Sequence, residues 1–159
     1  MFINRIHDDP IFIDTDSLVG MMLNNNNFHR CILSRLDMSQ ANMVNCDFRS
    51  AELIKSRFDN TQMDEAKLIM VEAKHSSFQN TSLYQALLLH SDFEGANFAG
   101  AVLLNATLKN SNFISCNFCG AIMQYSELKN CVFTNSVYNS KTVWNEGIVP
   151  EEYGFINCD

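Results

Sequence analysis

The sequence lacks long hydrophobic runs and carries few charges, since charged residues make up 18% of its 159 positions. A transmembrane helix needs about 20 consecutive apolar residues, so we predict that no segment spans a membrane. The first residues also lack the basic region, apolar core and cleavage site of a secretion signal. Hydrophobic residues account for 47% of the chain, which excludes an intrinsically disordered protein. These features predict one folded domain with a cytoplasmic location.

Motifs that carry catalysis are missing as well. The sequence contains no Gly-rich phosphate loop, no nucleophile elbow and no pair of catalytic carboxylates. Its four histidines are dispersed along the chain, without a matched constellation of cysteine, serine or carboxylate residues. We therefore predict a protein without enzymatic activity, cofactor or metal ion. The four histidines are His7, His29, His75 and His90.

Basic residues are outnumbered, which gives the chain a net charge of −7. The excess lies at the ends, because residues 1–25 and 141–159 each carry −3, whereas residues 26–140 contain ten acidic and nine basic side chains. Nucleic-acid phosphates repel a negative protein, so we predict that no nucleic acid binds. The central body of the protein is nearly neutral.

A strict period of five organises that central body. From Leu23 to Tyr138, 24 positions spaced five apart hold Leu, Phe, Met or Tyr, with Ala73 as the one exception. A small residue stands two positions before most of them, and the larger Val71 compensates for Ala73. The position two after each is rich in Asn and Gly, which favour turns. The pattern predicts two inward residues and one corner in every five.

The large residues also repeat every 20 positions. Starting at Leu83 they run Leu-Leu-Phe-Phe twice and then Met-Leu-Phe-Tyr, as expected when identical side chains stack on successive coils. We therefore predict four pentapeptides per coil. One column of large residues, predicted to be buried and stacked, consists of Phe58, Phe78, Phe98 and Phe118.

Several units share one consensus, as in Ala41-Asn42-Met43, Cys46-Asp47-Phe48, Ser91-Asp92-Phe93 and Ala96-Asn97-Phe98. In these units the sequence resembles the pentapeptide-repeat family, whose pattern is a small residue, Asp or Asn, Leu or Phe, and two variable positions. The resemblance covers about residues 21–140. It implies an all-β fold, a right-handed quadrilateral β-helix, or β-solenoid, of about six coils. At a strand spacing of about 4.8 Å, six coils make a rod of roughly 29 Å.

Both ends of such a solenoid need covers, because an open coil exposes strand edges and apolar side chains. We predict an N-terminal cap over residues 1–22, the solenoid over residues 23–140, and a C-terminal capping tail over residues 141–159. The tail resembles the end segment of some bacterial family members, and Trp144, Ile148 and Phe155 are expected to cover the open coil. A short helix is expected over residues 17–22.

Cys116 and Cys119 spell C-x-x-C, which is a redox or zinc motif in other settings. In the five-residue register Cys116 points inward and Cys119 outward, so we predict that the two side chains diverge. Cys31, Cys46 and Cys131 also occupy the small inward position, where a reduced thiol behaves as a small hydrophobe. This pattern favours a reducing compartment and argues against disulfides.

Function is expected at the outward positions, because the inward ones fill the core. Winding the chain at 20 residues per coil brings five outward apolar residues together on two adjoining sides, which indicates an interface. The partner is predicted to be another protein or a second copy of the chain in a homodimer. A basic column of Arg35, Lys55 and His75 is interpreted as a solvated face balanced by nearby acids. The predicted partner-binding residues are Tyr84, Leu87, Leu89, Val102 and Leu104.

The resemblance also implies an alternative function. Some family members resemble duplex DNA in width and charge, and they bind type II topoisomerases such as gyrase. That activity needs a strongly negative rod, whereas residues 26–140 sum to a charge of −1. A non-enzymatic scaffold for protein interactions is therefore the preferred hypothesis, with a DNA-mimic regulator of gyrase as the alternative.

Overall fold

The computed structural model describes residues 1–159 and is nearly all-β, with no α-helix. Parallel bridges join residues 20 positions apart along the repeat, beginning with Met22↔Asn42 and continuing to Asn117↔Val137. Each coil therefore consists of four pentapeptides, which confirms the period predicted from the sequence. We number the four faces of the coil by the large residues at their centres in one turn, which are Leu83 (face 1), Leu88 (face 2), Phe93 (face 3) and Phe98 (face 4).

Backbone hydrogen bonds tie each coil to the next. The N–H of Leu83 donates to the carbonyl of Val102 over 2.8 Å, and the N–H of Val102 donates back to Thr81 over 2.9 Å. Each face thus contributes only a minimal parallel ladder, and the strength of the fold comes from repetition along the rod.

Corners are made by the residue two positions after each large inward one. These residues adopt the left-handed backbone conformation, as Glu65 does at φ 59° and Tyr125 at φ 56°. The next residue closes the turn, and Ala86 for example donates its N–H to the carbonyl of Leu83 over 3.1 Å. Asn and Gly tolerate this conformation best, while other L residues adopt it at a cost of about 1–2 kcal/mol. The predicted bend at every fifth residue is confirmed.

Stacked side chains fill the interior. The rings of Phe58, Phe78, Phe98 and Phe118 are fully buried and lie 4.9 to 5.1 Å apart, centroid to centroid, with interplanar angles of 4°. The predicted column is confirmed. Val71 and Ala73 are both buried as well, in agreement with the compensating sizes expected there.

Small polar residues of the interior bind the backbone of the preceding coil. Ser91 donates its hydroxyl to the carbonyl of Leu68 over 2.9 Å, and Cys116 directs its thiol at the carbonyl of Phe93 over 3.0 Å. Each partner lies 23 residues earlier in the chain. A buried hydroxyl needs such a partner, so this bond explains why Ser, Thr and Cys share the small inward position with Ala.

Short segments precede and follow the repeat. Strand β1 (Phe2–Ile3) pairs antiparallel with β2 (Ile11–Phe12). Strand β3 (Ser136–Tyr138) pairs parallel with β4 (Phe155–Asn157), and a 3-10 helix at Pro150–Tyr153 leads into β4.

The prediction of a short helix over residues 17–22 is wrong. The hydroxyls of Thr15 and Ser17 accept local backbone N–H groups and stabilise turns instead. Leu18 is buried, and Gly20 donates its N–H to the carbonyl of Ser39 over 2.9 Å, like the corner residues of the repeat. Bonding to the next coil therefore replaces the hydrogen bonds that a helix would need.

Candidate interaction surface

The five predicted partner-binding residues lie on two adjoining faces. Three of them, Tyr84, Val102 and Leu104, are outward on face 1, and Leu87 and Leu89 are outward on face 2. All five are half-buried. Their partial burial has a simple cause, because outward side chains of successive coils stand only about 4.8 Å apart and cover one another.

More apolar residues extend this surface toward the C-terminus. Val102 pairs with Ile122 and Ile122 with Val143, so three aliphatic side chains follow one another on face 1. Val143 is 38% exposed, and Tyr125 at the neighbouring corner is 69% exposed. We call the surface formed by these residues the apolar side; its members are Tyr84, Leu87, Leu89, Val102, Leu104, Ile122, Tyr125 and Val143.

The 20-residue winding also places Ile122 beside Val102. Sequence reasoning missed the other two members of the apolar side for different reasons. Val143 stands one residue outside the 20-residue register, because the chain takes up an extra residue after Tyr138. Tyr125 occupies a corner position, where the repeat pattern predicts only a turn residue such as Asn or Gly and gives no sign of an exposed aromatic ring.

Faces 3 and 4 carry the ion pairs of Arg57 and Lys74 and form what we call the charged side. Face 2 carries two further ion pairs, Arg49 with Asp47 and Lys109 with Glu127. Arg57 contacts Asp37 over 3.0 Å and Asp59 over 3.1 Å. Lys74 lies 3.0 Å from both Asp92 and Glu94, and these carboxylates raise its pKa. The charged side is therefore a mixture of both signs.

The basic column of Arg35, Lys55 and His75 is exposed at the corner between faces 3 and 4. Acidic residues lie on the two flanking faces, with Glu52 and Glu72 on face 3 and Asp37 on face 4. Hydrogen bonds from Ser39, together with the charge of Arg57, hold the pKa of Asp37 below its ordinary value.

A cleft of about 490 Å³ opens at the C-terminal end of face 2. The indole Nε1 of Trp144 is buried there without a hydrogen-bond partner. Trp144 packs edge-on against Phe155, with ring centroids 5.0 Å apart, and Phe155 stacks on Phe133 at 4.5 Å. The apolar lining of the cleft consists of Met123, Leu128, Cys131, Trp144, Ile148 and Tyr153.

The cysteines divide as the register predicts. Cys116 is buried, and burial raises the pKa of its thiol to about 12. Cys119 points outward, so the C-x-x-C residues diverge; its sulfur instead lies 3.0 Å from that of Cys158, a contact that sequence reasoning did not foresee. No group of three or more His, Cys, Asp or Glu side chains is arranged to hold a metal ion. None of the helical segments has the length and hydrophobicity needed to cross a membrane.

Comparison with known proteins supports the repeat reading of the chain. The sequence model of the family described as Pentapeptide repeats matches residues 31–68, 76–113 and 111–137, with eight copies. None of the curated proteins searched matches the sequence.

Solved structures share the fold. A pentapeptide repeat protein from Nostoc PCC 7120 is 20% identical, with a TM-score of 0.58 over 70% of this chain and 84% of its own. QnrB1, a plasmid-mediated fluoroquinolone resistance protein, is 15% identical in a trypsin-treated form, with a TM-score of 0.50 over 92% of this chain and 87% of its own. At these identities the likeness concerns the fold alone.

Proposed function

Because the chain belongs to the pentapeptide repeat family, we propose that it is a non-enzymatic scaffold whose partner binds the apolar side. The residues that make the central contact are Tyr84, Leu87, Leu89, Val102 and Leu104. The partner is another protein or a second copy of this chain, and the site of action is the cytoplasm.

The single observation that carries this proposal is the continuity of the apolar side. Bridges connect Val102, Ile122 and Val143 in one line, and the half-buried side chains of face 2 adjoin that line. Removing such a surface from water favours association by about 25 cal/mol per Å² of apolar area, before the entropic cost of binding is subtracted. Contiguous apolar patches of this kind are typical of protein interfaces.

The remaining features of the molecule are consistent with a scaffold that presents outward side chains to a partner. We propose about six right-handed coils over residues 23–140, with residues 1–22 and 141–159 as caps. A rigid rod with capped ends holds outward side chains in fixed register and leaves its sides available for binding.

A pair of matched double variants tests the proposal. Leu87→Glu with Leu104→Glu places two carboxylates on the apolar side, whereas Ile54→Glu with Ile114→Glu makes the same change at half-buried outward positions of face 3. Both variants gain the same charge and lose comparable aliphatic surface. We expect only the first to lose self-association in sedimentation velocity, or partner capture from the source cell, while both keep the wild-type circular dichroism spectrum.

Two results would refute the apolar side as the binding surface. If the Leu87 and Leu104 variant unfolds while the face 3 variant does not, the substituted residues are part of the core. If both variants associate like the wild type, the interface lies elsewhere on the protein.

The alternative function, a DNA-mimic regulator of gyrase, is favoured only by the fold shared with QnrB1. The distribution of charge argues against it, because Arg49, Arg57, Lys74 and Lys109 each neutralise acidic neighbours along the rod. A DNA mimic needs a continuous negative surface. We expect no inhibition of gyrase supercoiling by the purified protein at equimolar concentration, and strong inhibition would make DNA mimicry the leading function.

A further inference from the structure

Two cysteines lie against each other at the C-terminal end of the solenoid. The Sγ atoms of Cys119 and Cys158 are 3.0 Å apart, although 39 residues separate them in sequence. Cys119 is half-buried on face 4 and Cys158 is exposed, so solvent reaches the pair. In contrast, the thiols of Cys31, Cys46 and Cys116 are buried in the core.

Backbone contacts on both sides hold Cys158 in place. Its N–H donates to the carbonyl of Tyr138 over 2.9 Å, which continues the pairing of β4 with β3. The carboxylate of Asp159 accepts hydrogen bonds from the N–H of Ser140 over 2.5 Å and from its hydroxyl over 3.1 Å. The two sulfurs are therefore brought together by strand pairing and not by a loose chain end.

Asn139 would separate the sulfurs if the repeat continued unchanged, because it follows Cys119 by 20 residues, the spacing of stacked positions. Its side chain turns to the backbone instead, where Oδ1 accepts the N–H of Gly120 over 2.9 Å and that of Lys141 over 3.2 Å. This rearrangement leaves the Cys119 sulfur next to Cys158.

We propose that Cys119 and Cys158 are a reversible disulfide site, which reacts with a low-molecular-weight disulfide such as oxidised glutathione and fixes β4 to the repeat. The Cys158 thiolate attacks one sulfur of oxidised glutathione, whose S–S bond breaks and releases one glutathione thiolate. The Cys119 thiol gives its proton to water, and the resulting thiolate attacks the Cys158 sulfur and releases the second glutathione as its thiolate. The two cysteines lose two electrons and two protons, which the two glutathione thiols take up.

The environment of each sulfur sets this order of attack. Burial and the neighbouring Cys158 thiol raise the pKa of Cys119 to about 11, so its thiolate is scarce at neutral pH. The exposed Cys158 is the sulfur that an external disulfide can approach. The closing step then proceeds within one molecule, where proximity offsets the small thiolate fraction.

Oxidation affects the end segment that follows the repeat. The disulfide closes a loop that contains Trp144 and Phe155, and such a link destabilises the unfolded state of the segment it encloses. Trp144 is the single tryptophan of the chain, so its fluorescence reports on this segment. We expect the oxidised protein to expose Trp144 at a higher denaturant concentration than the reduced protein.

Tryptic mapping after treatment of the full chain with oxidised glutathione tests the site. Cleavage gives one peptide of residues 110–129, with Cys116 and Cys119, and another of residues 142–159, with Cys158. We expect these peptides to be joined, and two of the six thiols to be lost without a glutathione adduct. Cys119→Ser should abolish the link and leave glutathione on Cys158, whereas Cys116→Ala should retain the link.

Several outcomes would overturn the proposal. One is a wild-type protein in which Cys158 remains a glutathione adduct, and another is a link that disappears in Cys116→Ala. A disulfide between two chains on a non-reducing gel, or a Trp144 transition that does not move on oxidation, would contradict it as well.

Discussion

The apolar side and the charged side of the rod rest on the same core but present different chemistry to solvent. Beneath the apolar side, Leu88 is fully buried in one column, and beneath the charged side Phe98 is fully buried in another. Outside, face 2 carries Leu87 and Leu89, while face 3 carries the ion pairs of Lys74. The two sides differ in chemistry mainly at the outward positions, which the five-residue repeat constrains less than the inward ones.

The difference separates residues that the fold requires from residues that are free to vary. Inward positions must fill the core of every coil, so all four faces hold large apolar side chains there, with Leu on faces 1 and 2 and Phe on faces 3 and 4 in the coils that begin at Leu83 and Leu103. Outward positions need only be compatible with the corner and the ladder. Functional differences are therefore expected at outward positions, and the cluster of aliphatic side chains there is the basis of the proposed interface.

The largest expected effect is that of removing a core side chain beneath either side. Phe98→Ala should lower the free energy of unfolding by about 3–5 kcal/mol and Leu88→Ala by about 2–5 kcal/mol, because both leave a cavity in a filled stack. Chemical denaturation measures both, with the exposed Gln79→Ala as an outward control that should change little. An unchanged midpoint for either core variant would break the idea that the two sides share one core.

A smaller effect is expected from the buried hydroxyls that link coils. Thr81 is fully buried and donates to the carbonyl of Phe58, so Thr81→Val should cost about 1 kcal/mol at nearly constant volume. The outward Thr107 is half-buried and makes no side-chain hydrogen bond, so Thr107→Val is the matched control. Equal destabilisation by the two variants would show that inward hydroxyls are not specially required.

The smallest effect concerns the charged side and appears only in acid. The pKa of Asp37 in the folded protein is held below its ordinary value of 3.8 by hydrogen bonds from Ser39 and by Arg57. Its contribution to stability is therefore complete above the unfolded-state pKa and is lost as the pH falls through the lower folded-state pKa. When the pH is lowered from roughly 5 to 2, the free energy of unfolding of Asp37→Asn should fall by less than that of the wild type. Identical pH profiles would contradict this coupling.

The core could be predicted from the sequence because its two constraints, the size of the inward side chains and their five-residue spacing, are visible in the sequence itself. The series from Leu23 to Tyr138 predicted the 20-residue coil, and the Phe58 column is stacked as expected. The corner positions were also predictable, because many of them hold Asn or Gly. Other residue types at corners, such as Glu65, adopt the same left-handed conformation.

Features that depend on a change of register could not be predicted from the sequence. The extra residue after Tyr138 shifts Val143 and brings Cys158 to Cys119, and nothing in the five-residue pattern locates that shift. The turns near Ser17 were mistaken for a helix because their competing local hydrogen bonds have no periodic signature. The extent to which outward side chains cover one another likewise depends on neighbours one coil away.

Hydroxyl-radical footprinting tests most directly whether the apolar side is the surface that partners cover. Oxidation rates of Tyr84, Leu87, Leu89 and Leu104 are compared with those of Ile54 and Ile114 on face 3, in the free protein and in the complex or the concentrated self-associated state. Association should slow oxidation of the first group and leave the second unchanged. Protection of Ile54 and Ile114, with no protection of the apolar side, would contradict the account.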